Sequence, residues 1–162
     1  MLTEIHLPFA DGVYRFRLTL PMIHELQRKC GTGIGALFAR VLKGRYSFED
    51  GSFGMPTEAE YRVEDLIETL RCGLIGGGEG KVGEDTIRVT PPLAQQLVEN
   101  YAYPAAPLKA AWDMAASILM ACIEGYQDPQ KKSAEPSEDP TEKDGSTSQP
   151  PWEISPSAGA VQ

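Results

Sequence analysis

The glycines are the first residues here whose spacing could do chemistry. Gly31-Thr32-Gly33-Ile34-Gly35 stands where a helix begins, and a helix N-terminus offers free N–H groups to a phosphate. The element before it reads as a helix rather than a strand, and no Lys-Ser/Thr pair follows. These glycines therefore predict a corner between two helices. Gly78-Glu79-Gly80-Lys81 has part of a phosphate-loop spacing, but Val82 and Gly83 stand where Ser or Thr is required. That segment predicts a flexible connector. His6 and His24 fall on a strand and a helix, without Cys, Asp or His at metal-ligand spacing, and both are expected at or near the surface. Glu58, Glu60, Glu64, Asp65 and Glu68 form an acidic run. Carboxylate pairs can do acid–base work, but on an amphipathic helix they predict a solvated face. Cys30, Cys72 and Cys122 are odd in number and far apart, which suits buried free thiols rather than a disulfide framework or a zinc site. No residue is assigned to catalysis, to a cofactor or to a metal, and the chain is expected not to be an enzyme.

Trp152 and Ile154 point to binding instead. They stand two apart in Gln149-Pro150-Pro151-Trp152-Glu153-Ile154, a proline-framed stretch with the form of a short docking motif. They are the candidate partner-binding residues.

The elements that would position these groups divide at Tyr126. Residues 127–162 hold six Pro, six Ser, seven acidic and three basic residues, with few large apolar groups. Such a segment cannot bury enough surface to offset its ordering entropy, so a disordered tail is expected over 127–162 and one folded domain over 1–126. The net charge is -8, of which the tail supplies -4, from three basic and seven acidic residues. An acidic chain argues against nucleic-acid binding by bulk electrostatics. No apolar run reaches the length of about 18 residues needed to span a bilayer, and nothing at the N-terminus reads as a signal peptide.

Within 1–126 the fold class reads as α+β, mostly α, with an N-terminal β-hairpin packed on about five helices. Leu2–Phe9 and Val13–Leu20 alternate as strands, and Asp11-Gly12 predicts the turn between them. Pro21 suits the first position of a helix that Gly31 stops. Thr32 is placed to cap a second helix, where Ile34, Leu37, Phe38, Val41 and Leu42 form one stripe. A loop with Tyr46, Phe48 and Phe53 follows over 45–60. A third helix is expected from about Glu58 to Ile75, with Val63, Leu66, Ile67, Leu70 and Leu74 buried and Gly76-Gly77-Gly78 breaking it. Residues 79–89 read as a polar connection, with a short extended piece at Thr86–Val89. The fourth helix starts at Thr90-Pro91 and carries Leu93, Leu97, Val98 and Tyr101. The fifth, Leu108–Glu124, is the most apolar, with Trp112, Leu119 and Ile123 on its inner face, and suits a central position.

This order resembles the tail assembly chaperone family of gene transfer agents and long-tailed phages. The matching segments are Tyr14-Arg15-Phe16-Arg17-Leu18-Thr19-Leu20, Ile23-His24-Glu25-Leu26 and Gly33–Gly44, then Val63-Glu64-Asp65-Leu66, Leu70–Leu74, Ala94–Tyr101 and Ala115–Gly125. The stretches 45–60 and 79–90 look like insertions. The resemblance implies a non-enzymatic protein without cofactors. It would bind the tape-measure protein and promote tail-tube assembly in the bacterial host cytoplasm. It would be absent from the mature particle. The tail-tube protein is a further implied partner, and a homo-oligomer is allowed. A head–tail connector or minor tail component is the alternative.

Overall fold

The computed structural model describes residues 1–43 and 59–126. The aromatic loop and the Pro- and Ser-rich segment lie outside the described residues, as do Trp152 and Ile154. In chain order the elements are β1 (Glu4–Phe9), β2 (Gly12–Arg17), α1 (Leu20–Cys30), α2 (Ile34–Leu42), α3 (Val63–Gly77), β3 (Glu79–Val82), β4 (Asp85–Arg88), α4 (Pro91–Tyr101) and α5 (Leu108–Ile123). The fold is α+β, with five helices among the described residues and one antiparallel sheet ordered β1-β2-β3-β4.

The hairpin forms where alternation placed it, but its turn is one residue earlier than Asp-Gly suggests. Gly12 already pairs with Phe9, and Ala10-Asp11 makes the loop. Ala10 takes the left-handed φ of 53°. Gly12 is needed for another reason. A Cβ there would lie 2.2 Å from the Lys81 carbonyl oxygen, so a side chain would push β3 off the sheet. Tyr14 and Phe16 are fully buried, and Phe9 meets both rings edge-on. Pro8 has no N–H to donate, which suits β1 as an edge strand of the sheet.

The segment expected to be a polar connector with an extended piece at Thr86–Val89 is a second hairpin: β4 (Asp85–Arg88) is that extended piece, and β3 was not expected. β3 joins β2 through Val13↔Lys81 and Tyr14↔Gly80, and pairs with β4 over its whole length. Gly83, with φ 61°, sits first in the two-residue loop, as a II′ turn requires. Gly80 fits under the Tyr14 ring, where a Cβ would come within 2.4 Å of a ring carbon. Lys81, Glu84 and Asp85 face water, which gave this short hairpin its loop-like composition.

α3 is the central helix, rather than α5. It packs on β2, α1, α4 and α5. It starts at Val63, not Glu58, and runs through Gly76 and Gly77 to a left-handed C-cap at Gly78. The glycines do not break it. They let it touch β2: a Cβ on Gly76 would lie 2.1 Å from the Arg17 carbonyl oxygen, and one on Gly77 1.7 Å from that of Arg15. α5 packs against α2, α3, β1 and β2. Leu119 is buried as expected, and so is Trp112, whose Nε1–H donates to the Val41 carbonyl at 2.7 Å. That bond closes the end of α2. Val63, Tyr101 and Ile123 are exposed, against the expectation of buried faces, because the stripes they extend outrun the partners that cover them. The α1–α2 corner forms as expected, but Thr32 does not cap α2. Gln27 Oε1 accepts the Ile34 N–H at 2.9 Å, and the cap residue is Gly33.

Candidate interaction surface

Two of the acidic-run residues, Asp65 and Glu68, are engaged within the fold. Asp65 is fully buried, contrary to the solvated face expected of the acidic run. It lies in the first turn of α3, where its Oδ2 accepts the Arg62 backbone N–H at 2.8 Å, the reciprocal half of a capping box. Its Oδ1 accepts from Arg40 of α2 at 2.6 Å. Arg62 in turn donates to the Cys30 carbonyl at the end of α1. One carboxylate thus joins three helices. A second network ties α1 to α3: Arg71 donates to Glu68 at 2.8 Å and to Glu25. The Arg71 bond holds the Glu25 carboxyl below its ordinary value of 4.5, so that contribution is present at neutral pH and is lost only as the pH falls below about 4.5.

The three cysteines are free, as expected, with Cys30 and Cys72 buried and Cys122 half-buried. Burial pushes the Cys30 thiol up to about 12, helped by neighbouring Asp65, and burial also pushes Cys72 up to about 12. The thiolate is the reactive form. A thiol reagent at mildly alkaline pH should therefore label Cys30 and Cys72 only slowly in the native protein and rapidly after denaturation. Rapid native labelling of either would contradict their burial. His6 and His24 are both exposed. Among the described residues no group of His, Cys, Asp and Glu is placed to hold a metal ion, and no helix is long and apolar enough to cross a membrane.

Among the described residues, hollows open on the outer sheet face and beside the hairpin tip. The outer sheet face carries His6, Val13, Arg15, Glu79, Lys81 and Thr86 around a shallow hollow. Val13 is 44% exposed there. Arg15 is already engaged: its Nε and Nη2 donate to the Gly77 carbonyl at 2.8 and 2.6 Å, and Nη1 lies 3.1 Å from Glu79. The second surface is a cleft of about 320 Å³ where the tip of the first hairpin meets α3 and the α4–α5 corner. Its walls are mainly apolar, from Phe9, Leu70, Tyr101, Ala106, Ala110 and Met114 among others. The tip is held in place by the Tyr14 hydroxyl, which donates to Asp11 Oδ1 at 2.6 Å. Burial, and then Asp11, raise the pKa of that hydroxyl. Tyr101, in the cleft wall, leaves 43% of its surface in water, and Tyr103, two residues on, leaves 55%. An apolar hollow with an exposed tyrosine in its wall has the composition of a binding surface.

Sequence spacing did not identify this cleft. Its walls come from segments some hundred positions apart, so no local pattern marks it. The comparisons with known proteins bear on the N-terminal part of the chain, which includes the hairpin tip. A family described as "Phage tail tube protein, GTA-gp10" matches residues 3–52. Over those residues the chain is similar to tail proteins of phages and gene transfer agents. The matched stretch holds β1, β2, α1 and α2, the same elements that carry the first motifs of the resemblance noted in the sequence. The description names a tube protein rather than a chaperone. No curated protein and no solved structure matches the chain.

Proposed function

We propose that this protein is a tail assembly chaperone of a phage or gene transfer agent. In this reading it binds the tape-measure protein, helps tail-tube subunits assemble around it, and performs no chemistry. It works in the host cytoplasm and is left out of the finished particle. The observation that carries the reading is the similarity of residues 3–52 to a tail protein family. The cleft supports it, since a hollow walled by Phe9, Leu70 and Met114 can take an anchor residue from the apolar stripe of a long helical partner. Trp152 and Ile154 would add a weaker contact, strengthened by being tethered to the folded part.

A structural tail component is the second reading, and the description of the matched family as a tube protein favours it. One pair of measurements separates the two. The chaperone reading expects co-expression to keep the tape-measure protein soluble, recovery of the two proteins together by affinity capture, and no copies in purified particles by mass spectrometry. Stoichiometric recovery from particles, with no effect on tape-measure solubility, would establish the structural component instead.

A further inference from the structure

We propose that the outer face of the sheet is a docking site for an acidic polypeptide segment of a partner protein. This surface is separate from the cleft, and the proposal does not depend on the tail-assembly reading.

The sheet is covered on one side only. Tyr14 and Phe16 are buried in the core, where α3 and α5 pack on β2. The residues that alternate with them stand on the opposite face. Among the described residues that face has no covering layer: His6, Val13, Arg17, Lys81, Thr86 and Arg88 are all exposed. Strand register sets its side chains in rows. In one row Pro8, Val13, Lys81 and Thr86 are neighbours, and in the next His6 stands opposite Arg15 and Glu79 opposite Arg88. Between the rows opens the hollow of about 390 Å³, with Val13 in its lining.

Charge identifies the occupant. The face holds four cations, Arg15, Arg17, Lys81 and Arg88, and two carboxylates, Glu4 and Glu79. Its net charge is therefore +2, on a chain whose net charge is -8. Glu79 lies 3.1 Å from Arg15, and Glu4 lies 4.0 Å from Arg17. Lys81 and Arg88 are exposed and take part in no ion pair among the described residues. The excess positive charge thus stands on β3 and β4, beside Val13. A positive patch on a negative protein steers a negative partner to that patch and fixes its orientation.

The apolar centre shows which kind of anion fits. Pro8, Val13 and the Lys81 stem form a middle strip with charges around it, the anatomy of a protein interface. A polypeptide can set carboxylates opposite Lys81 and Arg88 and an apolar side chain over Val13. A nucleic acid carries a phosphate at every step, so it would also meet Glu4 and Glu79, and the net negative charge of the chain opposes it at longer range. A second copy offering the same face would bring like charges together.

The test titrates the full chain at low salt with a synthetic peptide of repeated Glu-Glu-Leu, followed by amide NMR. The signals of Val13, Lys81 and Thr86 should move together and saturate, while those of Tyr101 and Met114 in the cleft stay in place. Added salt should release the peptide, because exposed charges are screened. Lys81→Glu should weaken binding several-fold, and Lys81→Glu with Arg88→Glu about tenfold or more. The indole signal of buried Trp112 reports that these variants keep their fold. Arg28→Glu makes the same change in net charge as Lys81→Glu, at an exposed position near the end of α1, and should leave the affinity unchanged. A repeated Lys-Lys-Leu peptide should shift the sheet signals of the doubly reversed chain and not those of the unaltered one. Absence of binding at low salt, shifts confined to other surfaces, or an affinity that the reversals leave unchanged would overturn the proposal. Tighter binding of a single-stranded oligodeoxynucleotide to the same face would assign it to nucleic acid and overturn it as well.

Discussion

Replacing Gly77 with alanine should cost about 3 kcal/mol or more, at or beyond the upper end for overpacked interiors. The new methyl carbon would lie 1.7 Å from the Arg15 carbonyl oxygen and 2.6 Å from its carbon. Both belong to backbone in the centre of the sheet, so no side chain can rotate away. α3 must lift from β2, and lifting it stretches the two bonds from the Arg15 guanidinium to the Gly77 carbonyl. It also exposes Phe16, which packs beneath the neighbouring Gly73. Gly35 provides the control. It lies in α2 with nothing within 4 Å of the position its Cβ would take. Gly35→Ala should be neutral or stabilising by up to about 1 kcal/mol, because alanine is the better helix former. Urea denaturation of both variants gives the comparison. Similar small effects at both sites would show that α3 and β2 are not in this contact.

Removing the Asp65 carboxylate should cost about 3–5 kcal/mol, the range for breaking a buried ion pair by deleting one partner. Asp65→Ala strips Arg40 of its anion and leaves the Arg62 amide without its acceptor. Asp65→Asn keeps an oxygen for that amide and loses the charge, so its cost should be smaller. Arg40→Met combined with Asp65→Leu should lose less than the sum of the single changes, because the double variant leaves no uncompensated charge. Chemical denaturation of these variants, of Arg40→Met and Asp65→Leu singly, and of the unaltered chain gives the comparison. A loss below about 1 kcal/mol for Asp65→Ala would mean that the carboxylate reaches water.

The acidic run shows where spacing misled. Glu58, Glu60, Glu64, Asp65 and Glu68 look alike in sequence. Asp65 lies one position before Leu66 and four before Thr69, and both of those are buried. The distinction between it and Glu64 is the helix start: with Arg62 as the extended cap residue, position 65 is the third of the helix and its side chain turns back to the cap. A helix placed from Glu58 hides that relation. The second hairpin was missed for a similar reason. β3 has one inward glycine and β4 one half-buried isoleucine, so alternation had almost no apolar residues on which to register. Its place is set by Tyr14 lying over Gly80.

What the sequence determined by itself is local. Alternation in Tyr14 and Phe16 set the inner face of β2, and the period of Leu37 and Val41 set that of α2. Trp112 and Leu119 were recognisable as core from the breadth of the α5 stripe. Those signals depend on neighbours within one or two turns, and propensity and amphipathicity act over that range. The tertiary structure alone decided what depends on distant backbone passing close by. Gly77 is required by Arg15, 62 positions earlier, and Trp112 is held by Val41, 71 positions earlier. The cleft exists because the hairpin tip, α3 and the α4–α5 corner converge without filling the space between them. No local pattern records such a meeting, since close approach and incomplete filling are properties of the packed arrangement and not of any one segment.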